Sequence, residues 1–110
     1  MTPAAYIACD RLDALSSANR GLNYGDGIFE TMRVHHGTLP QWPRHLARLR
    51  TGAQRLGIGL PDPAFIEARI SEHIASVDSG VLKLLLTRGD GGRGYAPTDC
   101  SEPVWMLSLH

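Results

Sequence analysis

Arg44, Arg48 and Arg55 are spaced 4 and 7 positions apart, which sets all three along one side of a helix. A guanidinium near a helix start can grip a phosphate, combining its planar two-pronged donor with the positive end of the helix dipole. The same row without chemistry is a solvated polar face. On residue types alone both readings stand.

A second candidate is "GDGGRG" from Gly89 to Gly94, which has the G-x-G-x-x-G spacing of a dinucleotide-binding turn. That fingerprint needs a helix opening at its last glycine and an acidic residue about 20 positions further on. Here Tyr95, Ala96 and Pro97 oppose a helix and 16 residues remain, so the dinucleotide reading fails on context. A glycine-rich loop can also be an arm that brings Arg93 and Tyr95 to a ligand, or a loose connection between strands. His35, His36 and His45 have no spacing that turns two imidazoles and a carboxylate onto one metal ion. There is no G-x-S-x-G elbow and no paired Cys and His, so hydrolysis has no evident home.

These side chains need elements to hold them. Residues 3–9, "PAAYIAC", read as a short strand, and 11–27 as mostly loop. From Ile28 to His35 the residues alternate, with Ile28, Glu30, Met32 and Val34 on one face and Phe29, Thr31, Arg33 and His35 on the other. His36-Gly37 suits a tight hairpin turn. Pro43 opens a helix whose apolar stripe is Leu46, Leu49, Ala53 and Leu56, ended by Gly57 or Gly59. Asp62 caps a second helix, which buries Ile66, Ile70, Ile74 and Val77 and stops before Gly80. Val81–Arg88 and Pro103–His110 complete the strands. This order predicts an α+β fold, a mainly antiparallel sheet covered by two helices.

Composition narrows the classes. A length of 110 residues fits one small domain, short for a complete enzyme with its own cofactor site. Basic and acidic residues balance at 11 each, and no basic cluster is interleaved with aromatics, so nucleic acid is not an expected partner. No stretch approaches the length of a membrane span, and the opening "MTPAAYIACD" has no basic residue before its short apolar run. The expectation is a cytoplasmic protein. Cys9 and Cys100, without metal-binding spacing, read as small buried hydrophobes in a reducing compartment. Lys83 is the single lysine beside ten arginines. Its leucine neighbours could desolvate it, but an edge or snorkelling position is the simpler reading.

Three motifs in order carry a resemblance: "RGLNYGDGIFETMRV" at 20–34, "RHLARL" at 44–49 and "LLLTRGDGGRGYAP" at 84–97. Together they resemble the small N-terminal domain of fold-type IV pyridoxal phosphate enzymes, over nearly the whole chain. "GVLKLLLTRGDGGRGY" is most similar to the aminodeoxychorismate lyases of that group, which form 4-aminobenzoate and pyruvate on the way to folate. The resemblance implies a role for several residues. Arg48 would bind the phosphate of pyridoxal phosphate, with His45 as its support one helical turn earlier. Phe29 would lie beside cofactor and substrate. Arg93 and Tyr95 would bind substrate carboxylate, often across the interface of a homodimer. Glu30 and Arg33 would support the strand.

The lysine that holds the cofactor lies, in this family, in a larger C-terminal domain beyond residue 110. Residues 1–110 are therefore expected to be the small domain, inactive alone, and Lys83 is not the cofactor lysine. Two alternatives accompany the lyase: a D-amino-acid or branched-chain aminotransferase domain, and a non-catalytic dimerisation module of the same fold.

Overall fold

The computed structural model describes residues 6–7, 10–11, 17–89 and 103–110. The elements are β1 (Tyr6–Ile7), β2 (Asp10–Arg11), α1 (Arg20–Tyr24), β3 (Gly27–His35), α2 (Trp42–Leu56), α3 (Pro63–Ile74), β4 (Ser79–Thr87) and β5 (Val104–Leu109). β1 and β2 pair antiparallel as a small ribbon. The main sheet has the order β3-β4-β5, antiparallel throughout, with Ile28 opposite Leu86, Glu30 opposite Leu84 and Leu84 opposite Leu107.

Alternation in β3 decides which face is covered. Glu30, Met32 and Val34 are buried, while Phe29, Thr31, Arg33 and His35 are exposed, as a period of two requires. β4 contributes Leu82, Leu84 and Leu86 to the same buried face, and β5 contributes Trp105 and Leu107. Leu49 and Ala53 of α2 and Ile66, Ile70 and Ile74 of α3 complete one core with them, and the Trp105 ring meets Phe65 edge-on at 6.2 Å. Both helices thus pack on one side of the sheet. The α+β expectation holds.

The boundaries of several elements differ from expectation for local physical reasons. Within the expected loop lies a short helix: Asn19 caps α1, its side chain accepting from Leu22 N–H, and Gly25 ends that helix at φ 65°. In α2, Leu56 is exposed and Ile58, beyond the Gly57 cap, fills the core in its place. α3 stops at Ile74, so Val77 packs from the following turn and Gly80 lies inside β4 rather than ending the helix. The Asp62 cap is present, accepting from Ala64 N–H. His36 and Gly37, both at positive φ, form a two-residue turn closed by reciprocal bonds between His35 and Thr38. Among the described residues no helix is long and apolar enough to cross a membrane. Cys9 and Cys100 lie outside the described residues.

Candidate functional site

The Gly25-Asp26-Gly27 turn delivers β3 to the site, and it is tied down from three directions. Asp26 Oδ2 accepts from Arg20 Nε and from Arg88 Nε, each at 2.8 Å. Arg20 is 1% exposed, so this carboxylate is the charge partner of a guanidinium withdrawn from water. Arg88 reaches onward to the last carbonyls of α2, with Nη2 2.6 Å from Leu56 O and Nη1 3.3 Å from Gly57 O, where a cation also meets the negative end of the helix dipole. Gly27 is required by close approach: a Cβ there would stand 2.5 Å from Leu86 O.

The electrostatics of Asp26 follow from these contacts. Burial works to raise its carboxyl, but the hydrogen bonds and positive charges of Arg88 and Arg20 outweigh burial and hold it below the ordinary carboxylate value.

The neighbouring bonds fix the end of β4. Thr87 Oγ1 receives Asn19 Nδ2 and Gly89 N–H, both at 3.1 Å, and Gly89 O receives Arg20 N–H at 2.8 Å. The chain therefore leaves Gly89 from an anchored point.

Beyond the turn, β3 and α2 form the walls of an open cleft of about 590 Å³, lined by Gly27, Ile28, Phe29, Glu30, Thr31 and Arg48. Glu30 points under α2, where His45 donates from Nδ1 to Oε1 at 2.6 Å and Arg48 Nε stands 3.5 Å from Oε2. The Arg48 side chain is 66% exposed, and with its Nε edge turned to Glu30 the terminal nitrogens are the part left for an anion. A second open cleft of about 430 Å³ runs along α2 past Arg44, Arg48, Thr51 and Arg55. All three arginines are exposed, and Arg48 is the one that both clefts share.

Arg48 and Phe29 thus line one cleft, and His45 is joined to it through Glu30. Arg93 and Tyr95 lie outside the described residues. Lys83 is on the central strand, not at an edge, and half-buried on the open face; its Nζ lies 4.9 Å from the centre of the Phe29 ring.

Two features were missed in the sequence. Glu30 is buried, hydrogen-bonded to His45 and ion-paired with Arg48, which is more than supporting its strand. A signal existed: it shares a face with Met32 and Val34, where a carboxylate must find partners. Asp26 as the meeting point of Arg20 and Arg88 had no such signal, since the residues are 6 and 62 positions from it.

Comparison with known proteins matches residues 27–110 to the family Amino-transferase class IV. A solved structure of 4-amino-4-deoxychorismate lyase from Pseudomonas aeruginosa is 43% identical with a TM-score of 0.82, covering 94% of this chain and 38% of that one. An aminodeoxychorismate lyase from Vibrio harveyi is 33% identical over 91 residues, 82% of this chain and 33% of the relative. A D-alanine aminotransferase from Bacillus licheniformis is 35% identical over 88 residues, 74% of this chain and 30% of the relative. The chain spans about a third of the length of the curated relatives it matches.

Proposed function

Because this chain belongs to the amino-transferase class IV family, we propose that it is the small, phosphate-anchoring domain of a pyridoxal phosphate-dependent aminodeoxychorismate lyase. Its substrate would be 4-amino-4-deoxychorismate and its products 4-aminobenzoate and pyruvate. The likeness to two lyases, at 43% and 33% identity, supports this substrate.

The observation that carries the reading is Arg48 in the cleft beneath β3, its Nε edge against a buried carboxylate. An exposed guanidinium on an α2 turn that lines the cleft, its Nε edge taken by Glu30, has its terminal nitrogens to offer the phosphate of such a cofactor. Arg48 would hold that phosphate, and His45, hydrogen-bonded to the same Glu30, would brace the helix turn that carries it. When bound, pyridoxal phosphate supplies an electron sink for carbanion character beside the substrate's amine.

Phe29, 58% exposed on the strand that lines the cleft, would offer a flat apolar surface to the substrate ring. Arg93 and Tyr95 would bind carboxylate, a sensible pairing for a substrate with two carboxylates. The acid-base lysine would come from the larger remainder found in the relatives. A cytoplasmic homodimer goes with this reading; the exposed Phe29 and Val81 on the sheet's open face support burial of that face in the assembled enzyme.

The D-alanine aminotransferase at 35% identity supports a second reading, transfer of an amino group to a 2-oxo acid. Purified full-length protein should release fluorescent 4-aminobenzoate from 4-amino-4-deoxychorismate. Efficient amino transfer from D-alanine to 2-oxoglutarate, with no 4-aminobenzoate formed, would replace the lyase by the aminotransferase. Neither activity in a folded dimer that ignores pyridoxal phosphate would leave the non-catalytic module.

A further inference from the structure

We infer that Glu30 is a positioning residue for the anion site: it fixes the direction in which Arg48 presents its guanidinium, and His45 completes the clamp. The inference rests on the reading of Arg48 as the phosphate ligand.

Glu30 is 7% exposed, on the face of β3 that otherwise carries Met32 and Val34. A carboxylate there is costly unless its oxygens are engaged. Both are: Oε1 accepts from His45 Nδ1 at 2.6 Å, and Oε2 faces Arg48 Nε at 3.5 Å. The first bond fixes the protonated nitrogen of the imidazole and joins strand to helix. The second contact acts on one edge only. A guanidinium has two donor edges, and an acceptor at Nε leaves the Nη1/Nη2 fork free to take two oxygens of a phosphate. An arginine 66% exposed on a helix otherwise samples many rotamers, and ordering them costs affinity when the anion binds.

Simple electrostatics gives the opposite expectation. A negative charge beside an anion site repels the anion, so removing it should tighten binding. Positioning predicts that removing it weakens binding. The sign of one measured change therefore separates the two.

The test uses the full-length protein and three ligands: pyridoxal phosphate, pyridoxal without phosphate, and inorganic phosphate. Glu30→Gln should weaken pyridoxal phosphate and inorganic phosphate about tenfold, the scale of one lost contact to a charged group, and leave pyridoxal unchanged. Glu30→Asp keeps the charge but withdraws it by one methylene, and should weaken both phosphate ligands similarly. In an Arg48→Lys background, which lacks the Nε edge, Glu30→Gln should add no further loss.

Unchanged or tighter phosphate binding in the folded Glu30→Gln and Glu30→Asp proteins would overturn the positioning role while leaving Arg48 as the ligand. Equal weakening of pyridoxal, or additive losses in the Arg48→Lys background, would also overturn it, since a general loss of structure predicts both. Arg48→Ala that binds pyridoxal phosphate as tightly as the native protein would instead remove the phosphate site itself. The positioning role would fall with it.

Discussion

Arg88 and Asp26, 62 positions apart, meet with Nε 2.8 Å from Oδ2, and the same oxygen accepts from Arg20 at the same distance. One carboxylate joins the turn before β3, the end of β4 and, through Arg88, the end of α2. Replacing Asp26 by Ala leaves the buried Arg20 guanidinium without this partner. The expected cost is about 3 kcal/mol of folding stability, read from urea unfolding. An unchanged midpoint would mean the junction contributes nothing.

Acid should act through the same residue. The Asp26 carboxyl is held below its ordinary value in the folded protein, so between the two values the unfolded chain binds more protons. Its contribution is complete above the ordinary value of about 3.9 and is lost as pH falls through the lower folded value. Asp26→Asn should flatten the acid limb of the stability curve relative to the native protein. A limb of identical slope would show that other carboxylates carry it.

Leu84 sits at the centre of the sheet, fully buried, between Glu30 on β3 and Leu107 on β5. Leu84→Ala should destabilise by about 3 kcal/mol, because packed strands on both sides limit collapse into the cavity. Val81→Ala, on the exposed face of the same strand, should change stability by no more than about 0.5 kcal/mol.

Phe29 separates binding from folding. Its ring is largely exposed, with the Lys83 ammonium 4.9 Å from the ring centre, so Phe29→Ala should cost at most about 1 kcal/mol of stability. In the lyase proposed for the full-length protein, the same change should raise KM for 4-amino-4-deoxychorismate several-fold. A large loss of stability with unchanged KM would assign the ring to packing instead.

Much of this was legible in the residues. The alternation of Ile28 to His35 sorted β3 into its two faces, and Ile66, Ile70 and Ile74 gave the buried stripe of α3, because period-two and period-four patterns are local. Arg48 stood out first by its spacing from Arg44 and Arg55 along one side of the helix, and the motif then singled it out together with His45. The short helix α1 escaped because its five residues are held largely by Asn19, whose other partner is Thr87, 68 positions away. Leu56 looked like core by spacing, yet the helix ends there and Gly57 turns the chain so that Ile58 enters. The face Glu30 shares with Met32 and Val34 pointed to its burial, but its partners on α2 became visible only in the fold.

Gly89 has its N–H bonded to Thr87 and its carbonyl bonded to Arg20, beside the Asp26 junction. The consequence is modularity. The residues that follow set out from a fixed origin, while Arg48 and Glu30 are held separately between β3 and α2. Under the proposed function, the sequence carrying Arg93 and Tyr95 would be exchangeable for another, and substrate preference with it, while the Arg48–Glu30 pair between β3 and α2 stays as it is.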